Sequence, residues 1–347
     1  MFKSNFVSVN FVEENVSLRA HNTFGISATA RYYAKITNKD ELQQLANSAL
    51  WQKEKLILGG GSNLLLLDDF DGLVVHIATK GIKVREETAD EVVVQVEAGE
   101  NWHQFVMYAL SQGWFGIENL SLIPGSVGAS PMQNIGAYGV EIEQVFDELE
   151  AFHIEEHKFH RFSNEACAFG YRTSVFKTSQ KGKFIITQVT FRLSKQAAVN
   201  VSYGAISKTL AEKGVSSPTP HDVSEAVIEI RQGKLPDPAQ LGNAGSFFKN
   251  PVVQQDLFEQ ISENHPNMPH YPVDENFVKI PAGWLIDQCG FKGTTVGNTG
   301  TYAHQALILV NHGEATGEEI WNFAMQIQQT VKQQFGIELE PEVNLVQ

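Results

Sequence analysis

A chain of 347 residues, 42% of them hydrophobic and with no low-complexity tract, predicts a folded protein of two or three domains. The formal net charge of −14 excludes a general nucleic-acid or anionic-membrane surface, which needs clustered Lys and Arg, so an anionic ligand must be met by local cations and backbone amides. Two cysteines, Cys167 and Cys289, are too few and too far apart for a disulfide framework or a zinc site, and read as reduced thiols of a cytoplasmic protein.

In chain order, Phe6 to Phe11 is interrupted by Ser and Asn, which argues against a signal peptide. Asn38 to Glu41 predicts a helix start with a capping-box partner, and Leu42, Leu45, Ala46, Ala49 and Leu50 repeat at helical spacing. Lys55–Leu58 is expected as a short strand, linked by Gly59-Gly-Gly-Ser-Asn63 to an apolar strand over Leu64–Leu67. Glu91–Glu97 alternates as a strand does, and Trp102, Phe105, Val106, Ala109 and Leu110 mark a helix ended by Gly113. The glycine-rich stretch 116–139 interleaves Leu120, Ile123, Val127, Met132 and Ile135, which predicts an ordered, functional loop. Glu148–Phe162 reads as a hairpin, and Ile185, Thr187, Val189, Phe191 and Leu193 share one strand face. Past a polar, Pro-containing stretch from Glu212 to His221, a helix carries Val223, Ala226, Val227 and Ile230 and ends near Gly233. A helix near Trp284, a strand Ala306–Val310 and a long helix from Ile320 to Phe335, stopped by Gly336, follow. Glu338–Val346 is extended, and Pro341 assigns it to an edge or a loop. Neither apolar run, Leu64–Leu67 nor Ala306–Val310, approaches the roughly 20 residues that span a bilayer.

Two segments carry binding chemistry. Gly59, Gly60, Gly61, Ser62 and Asn63 expose backbone amides that can close around a pyrophosphate, because no Cβ blocks the approach. Leu64 stands where a Rossmann fingerprint needs Gly or Ala, and a tight β turn accounts for the same residues. The second segment places small residues, among them Gly125, Ser126, Gly128, Ala129, Ser130 and Gly136, at nearly every bend, so a planar ligand can lie against its backbone. Together they point to one dinucleotide held across both. His153, His157 and His160 have a spacing that suggests a metal, but strand alternation in a hairpin would not gather all three, and no metal site is expected.

Asn22-Thr-Phe-Gly25, Gly59-Gly-Gly-Ser-Asn63, Ile123-Pro-Gly-Ser-Val-Gly128, Gln133-Asn-Ile-Gly-Ala-Tyr-Gly139, Gly170-Tyr-Arg172, Lys234-Leu-Pro-Asp-Pro238, Gly242-Asn-Ala-Gly-Ser-Phe-Phe-Lys-Asn-Pro251 and Leu339-Glu-Pro-Glu-Val343 occur in this order along nearly the whole chain. The set resembles the UDP-N-acetylenolpyruvoylglucosamine reductases, in the form with a substrate-closing tyrosine loop. The resemblance implies an α+β architecture: a vanillyl-alcohol-oxidase-type FAD-binding domain over residues 18–215, with subdomains of about 18–80 and 81–215, and a separate α+β substrate-binding domain over 220–336. A segment over 337–347 returns to the active site. It also implies non-covalent FAD reduced by NADPH, a UDP-sugar whose enolpyruvyl group is reduced in peptidoglycan synthesis, and a cytoplasmic monomer with no nucleic-acid or membrane partner.

Residue roles follow by the same resemblance. Hydride addition to the vinyl carbon builds charge toward the substrate carboxylate, so cations, donors and an acid are needed there. Arg172 matches the arginine that holds that carboxylate, a task suited to a forked donor. Ser246 matches the proton donor to the enolate carbon, although turn statistics alone read it as a turn serine. Glu342 matches the catalytic carboxylate, with Glu340 two residues away as the bland alternative. Tyr203, Lys234 and Asn250 fall where the family binds diphosphate and uracil, and Arg231, Tyr271, Lys292 and Gln305 line the same cleft. Two other readings stand beside this one: an oxidase with FAD attached to a histidine such as His76 or His103, since no His or Cys lies within Ile123–Gly139, and a sugar-nucleotide-binding module without activity.

Overall fold

The computed structural model describes residues 9–347, so Phe6–Ser8 of the interrupted apolar run lie outside the described residues. The chain divides into two compact units: one of residues up to Val16, Ala30–Gly60 and Asp71–Gly233, the other of Ser17–Thr29, Gly61–Phe70 and Lys234–Gln347. This division follows packing, and it differs from the sequence-based boundary within 212–221: the Pro220–Lys234 helix belongs to the first unit.

The first unit is built on two sheets. One has the order Val12–Ser17, Thr29–Ile36, Phe70–Ile77, Lys55–Leu58, with the last two strands parallel. The other is antiparallel, in the order Lys158–Ser163, Phe146–His153, Phe184–Ser194, Glu91–Glu97, Ile82–Glu87. The Glu91–Glu97 and Phe184–Ser194 strands pack their apolar residues with the Trp102–Ser111 helix around Trp102, Phe105 and Phe191. Ile186 and Thr190 are buried as well as the alternate residues, so the Phe184–Ser194 strand is covered on both faces. A second core joins Ala34, Ile36, Leu73 and Val75 of the first sheet to Phe152 and Ile185 of the second. The Gly204–Glu212 and Pro220–Lys234 helices share a third, through Ile206, Leu210, Val223 and Val227.

The first predicted helix differs from its sequence pattern at its end and at its cap. The helix capped by the Asn38 side chain runs over Lys39–Ala46 and not to residue 50, because the Ser48 hydroxyl donates to the Leu45 carbonyl and the chain restarts as a short 3-10 turn at Ala49–Gln52. Glu41, the expected capping-box partner, accepts from the backbone and hydroxyl of Thr37, one residue ahead of the cap.

In the second unit Gly242–Ser246, Gln305–Asn311, Thr299–Tyr302 and Thr295–Val296 form a sheet in that order, and Val252–Gln254, Phe277–Lys279 and Tyr271–Pro272 a smaller one. The Gly317–Phe335 helix carries a complete capping box between Thr316 and Glu319, buries Ile320, Phe323, Ala324, Ile327, Val331 and Phe335, and ends at Gly336 with φ 70°. Leu64–Leu66 does not pair with its predecessor Lys55–Leu58; it lies parallel to Asn344–Val346. Pro341 makes an isolated bridge to Phe248 outside any ladder, as its missing N–H requires. Among the described residues no helix is long and apolar enough to cross a membrane, and no group of three or more His, Cys, Asp or Glu side chains is arranged to hold a metal.

Candidate active site

The two glycine segments meet within the first unit. A Cβ on Gly60 would lie 2.8 Å from the Gly125 Cα, and one on Gly59 would lie 2.5 Å from the Ser126 hydroxyl oxygen. Gly128 is pressed in the same way against Ala98, whose carbonyl accepts its N–H at 2.8 Å. Gly125 adopts φ 114°, which favours glycine. Beside this junction is a cavity of about 420 Å³ lined by Gly59, Ser126, Gly128, Ala129, Phe184 and Ile186, among others. Its largely apolar walls and small residues suit a flat ring, and every lining residue belongs to one unit. Ser130 is fully buried and donates to the Val127 carbonyl at 2.7 Å, so its hydroxyl is turned into the loop. Gly136 is held at its carbonyl by Arg172.

The remainder of the first glycine segment is in the second unit. Gly61, at φ 63°, sits so close to the His21 carbonyl that any side chain would collide with it. The Asn63 amide donates to the Glu342 carbonyl at 3.2 Å, and the Asn63 carbonyl accepts from both the backbone and the side chain of Asn344. Ser62 lies between them.

Arg172 stands at φ 54°, a conformation that side chains rarely adopt, and the bend turns its guanidinium back to the Gly136 carbonyl at 2.6 Å, with Glu141 at 3.8 Å and the Tyr171 ring 5.3 Å away. The group is thus an oriented fork, one-fifth exposed.

Ser246 ends its strand beyond an irregularity in the pairing with Gln305–Asn311. The bulge is made by Gly245 at φ 72°, whose N–H is taken by the Asn243 side chain. The next residues run against the C-terminal segment: the Phe247 carbonyl accepts from Glu342 N–H at 2.8 Å, and Lys249 N–H donates to the Glu340 carbonyl. These bonds set Glu342 opposite Phe247, the residue after Ser246. Glu340 forms an ion pair with Lys249 at 2.5 Å and is largely exposed.

Of the expected UDP-binding residues, Tyr203 precedes the Gly204–Glu212 helix, is exposed, and meets the Tyr138 ring edge-on at 5.2 Å. Arg231 donates to the Leu122 carbonyl and hydrogen-bonds the Tyr138 phenol. Burial lowers the Arg231 pKa and raises that of Tyr138, while Arg231's charge opposes the rise. These three are in the first unit; Lys234, Asn250, Tyr271, Lys292 and Gln305 are in the second. The Asn250 side chain accepts from Ala282 N–H and starts the Ala282–Gln288 helix, Gln305 receives the Leu307 N–H, and Lys292 pairs loosely with Asp287. Tyr271 is half-exposed on its short edge strand, and Lys234 is exposed at a helix end. Tyr138, within Gln133–Gly139, links Tyr203 and Arg231, and this depends on a left-handed backbone at φ 52° that no spacing rule marks.

The candidate attachment histidines are engaged otherwise: His76 Nδ1 lies 2.5 Å from the Tyr33 hydroxyl, and His103 Nδ1 accepts from Leu122 N–H. Burial, and then the Arg231 charge, hold His103 below its ordinary pKa. His153 and His160 come within 5.7 Å, both near Glu156, whereas His157 turns away to stack on Phe152.

Residues 30–154 match the FAD binding domain family, and residues 237–346 match the UDP-N-acetylenolpyruvoylglucosamine reductase C-terminal domain. The UDP-N-acetylenolpyruvoylglucosamine reductase of Flavobacterium johnsoniae is 49% identical over 96% of this chain and 99% of its own. That of Chromobacterium violaceum is 51% identical over 94% of this chain and 97% of its own. The crystal structure of UDP-N-acetylenolpyruvylglucosamine reductase from Thermus caldophilus superposes with a TM-score of 0.67 over 97% of this chain and 100% of its own, at 23% identity, and shares the fold. With half its residues shared along almost the entire length of such relatives, the chain belongs to the UDP-N-acetylenolpyruvoylglucosamine reductase family.

Proposed function

We propose that the chain is an FAD-dependent oxidoreductase that uses NADPH to reduce the enolpyruvyl group of UDP-N-acetylenolpyruvoylglucosamine, giving UDP-N-acetylmuramate for peptidoglycan synthesis. The observation that carries this reading is the 51% identity over 94% of the chain to a relative bearing that name. When held beside Gly59, Ser126, Gly128 and Ala129, FAD would supply the hydride-carrying chemistry between NADPH and the substrate's vinyl carbon.

The chain's own residues hold the dinucleotide, fix the substrate and manage charge. Gly59, Gly60, Gly125, Ser126, Gly128 and Ala129 keep the cavity and its junction free of bulky side chains. Ser130 and Gly136 support the loop, and Gly61, Ser62 and Asn63 complete the FAD contacts. Arg172, already oriented by the Gly136 carbonyl, holds the enolpyruvyl carboxylate and steadies the charge that develops on it. Ser246 gives its proton to the enolate carbon, and Glu342, opposite Phe247, donates to the enolate. Tyr203 closes over the diphosphate. Lys234 and Asn250 bind diphosphate and uracil, with Arg231, Tyr271, Lys292 and Gln305 in supporting contacts. In domain terms, 18–215 binds FAD, 220–336 binds substrate and 337–347 brings in Glu342. The enzyme works in the cytoplasm as a monomer.

A visible spectrum tests the reading. The purified protein should be yellow, should bleach with NADPH and recover on adding the enolpyruvyl substrate, and should release its colour on acid precipitation. Colour kept in the pellet would favour an oxidase with covalent FAD; bleaching without recovery by substrate would refute the reductase.

A further inference from the structure

Asn119 is buried, in a short 3-10 turn at Glu118–Leu120, and its amide donates at 3.0 Å to the carbonyl of Tyr138 and at 2.9 Å to the carbonyl of Asn200. Its Oδ1 is buried with no hydrogen-bond partner. An unpartnered buried acceptor is costly, and what offsets it here are the two donations, which tie together segments 62 residues apart in sequence by their backbones alone.

The turn that carries it is rigid. The Ser121 hydroxyl donates to the Glu118 carbonyl and pairs with Ser224, the Trp102 indole donates to the Leu120 carbonyl, and Leu122 is held at its N–H by His103 and at its carbonyl by Arg231. What Asn119 holds is the base of the Tyr203 segment. Asn200 donates to the Gly139 carbonyl at 3.2 Å and accepts from the backbone and hydroxyl of Ser202, and Tyr203 comes next. At the other end of the same loop, Arg172 holds Gly136.

We propose that Asn119 is a positioning residue for substrate binding: by clasping the Tyr138 and Asn200 carbonyls it fixes the base of the segment that carries Tyr203. The proposal rests on Tyr203 contacting the substrate. Asn119→Asp sets a carboxylate against two carbonyls and opens the clasp; Asn119→Ala, which removes both donations without burying a charge, serves if the first variant does not fold. Each is expected to raise KM for the enolpyruvyl substrate ~10-fold, the equivalent of one lost hydrogen bond, with kcat and the NADPH half-reaction within about twofold. Tyr203→Ala should raise the same KM, and adding either Asn change to it should raise it no further. If Tyr203→Ala raises KM and the Asn variants do not, or if their effects multiply in the double variant, the clasp is overturned. If Tyr203→Ala leaves KM unchanged, the substrate role of Tyr203 falls and takes the clasp with it.

Discussion

A serine hydroxyl is a poor acid in water, and the proton-donor role proposed for Ser246 requires a carbon as basic as an enolate's. Its setting supplies position: Gly245 in the left-handed region lets the strand bulge, and the bulge delivers Ser246 next to Phe247, the residue opposite Glu342. Ser246→Ala is therefore expected to leave flavin reduction by NADPH near normal and to slow reoxidation by the enolpyruvyl substrate by ~10²–10⁴-fold, the contribution of one placed acid. Stopped-flow absorbance separates the halves; equal slowing of both would make Ser246 a residue that positions the flavin. The identity of Ser246, Glu342 and Arg172 was legible as motif. Their geometry was not: nothing in the spacing of Gly170-Tyr-Arg172 announces φ 54°, and nothing in Leu339-Glu-Pro-Glu-Val343 announces that Glu340 pairs with Lys249.

Among the elements, the glycine loops illustrate how one residue type serves two needs. Sequence reasoning assigns Gly60 to ligand approach, and the structure adds that its missing Cβ admits the backbone of Gly125 and Ser126. Gly60→Ala should part the two loops, at a cost of ~1–3 kcal/mol for forced overpacking, and lower FAD affinity by about 10–100-fold in a fluorescence titration. Gly233→Ala, with open space around its Cβ position in a helix, should bind FAD as the parent does. The Gly317–Phe335 helix was readable because its apolar residues keep helical spacing between a capping box and a left-handed glycine. The Gly204–Glu212 helix escaped notice: Ile206 and Leu210 alone give it a buried stripe. The break after Ala46 escaped too, since a serine taking a carbonyl is a local contest that periodicity does not record.

On the scale of the whole molecule, charge and connectivity matter most. A chain of net charge −14 that binds a sugar diphosphate and NADPH works against its own field. Raising ionic strength from 10 to 150 mM should screen that repulsion and increase kcat/KM for both anionic substrates by roughly twofold or more; a fall instead would show that local cations govern encounter. The pairing of Leu64–Leu66 with Asn344–Val346 was invisible in the sequence, because each is only a short apolar run and nothing local selects its partner. That pairing has a temporal meaning during synthesis. The Asn344 side chain reaches the Asn63 carbonyl across 281 residues, and Asn311 reaches Phe24 across 287. A ribosome delivering ~5–20 residues per second leaves the early strand without its mate for some tens of seconds, an unpaired apolar edge in the nascent chain. The second unit therefore closes only after residues 344–346 have emerged, and a chaperone that shields residues 61–70 in the interval would raise the yield of folded enzyme.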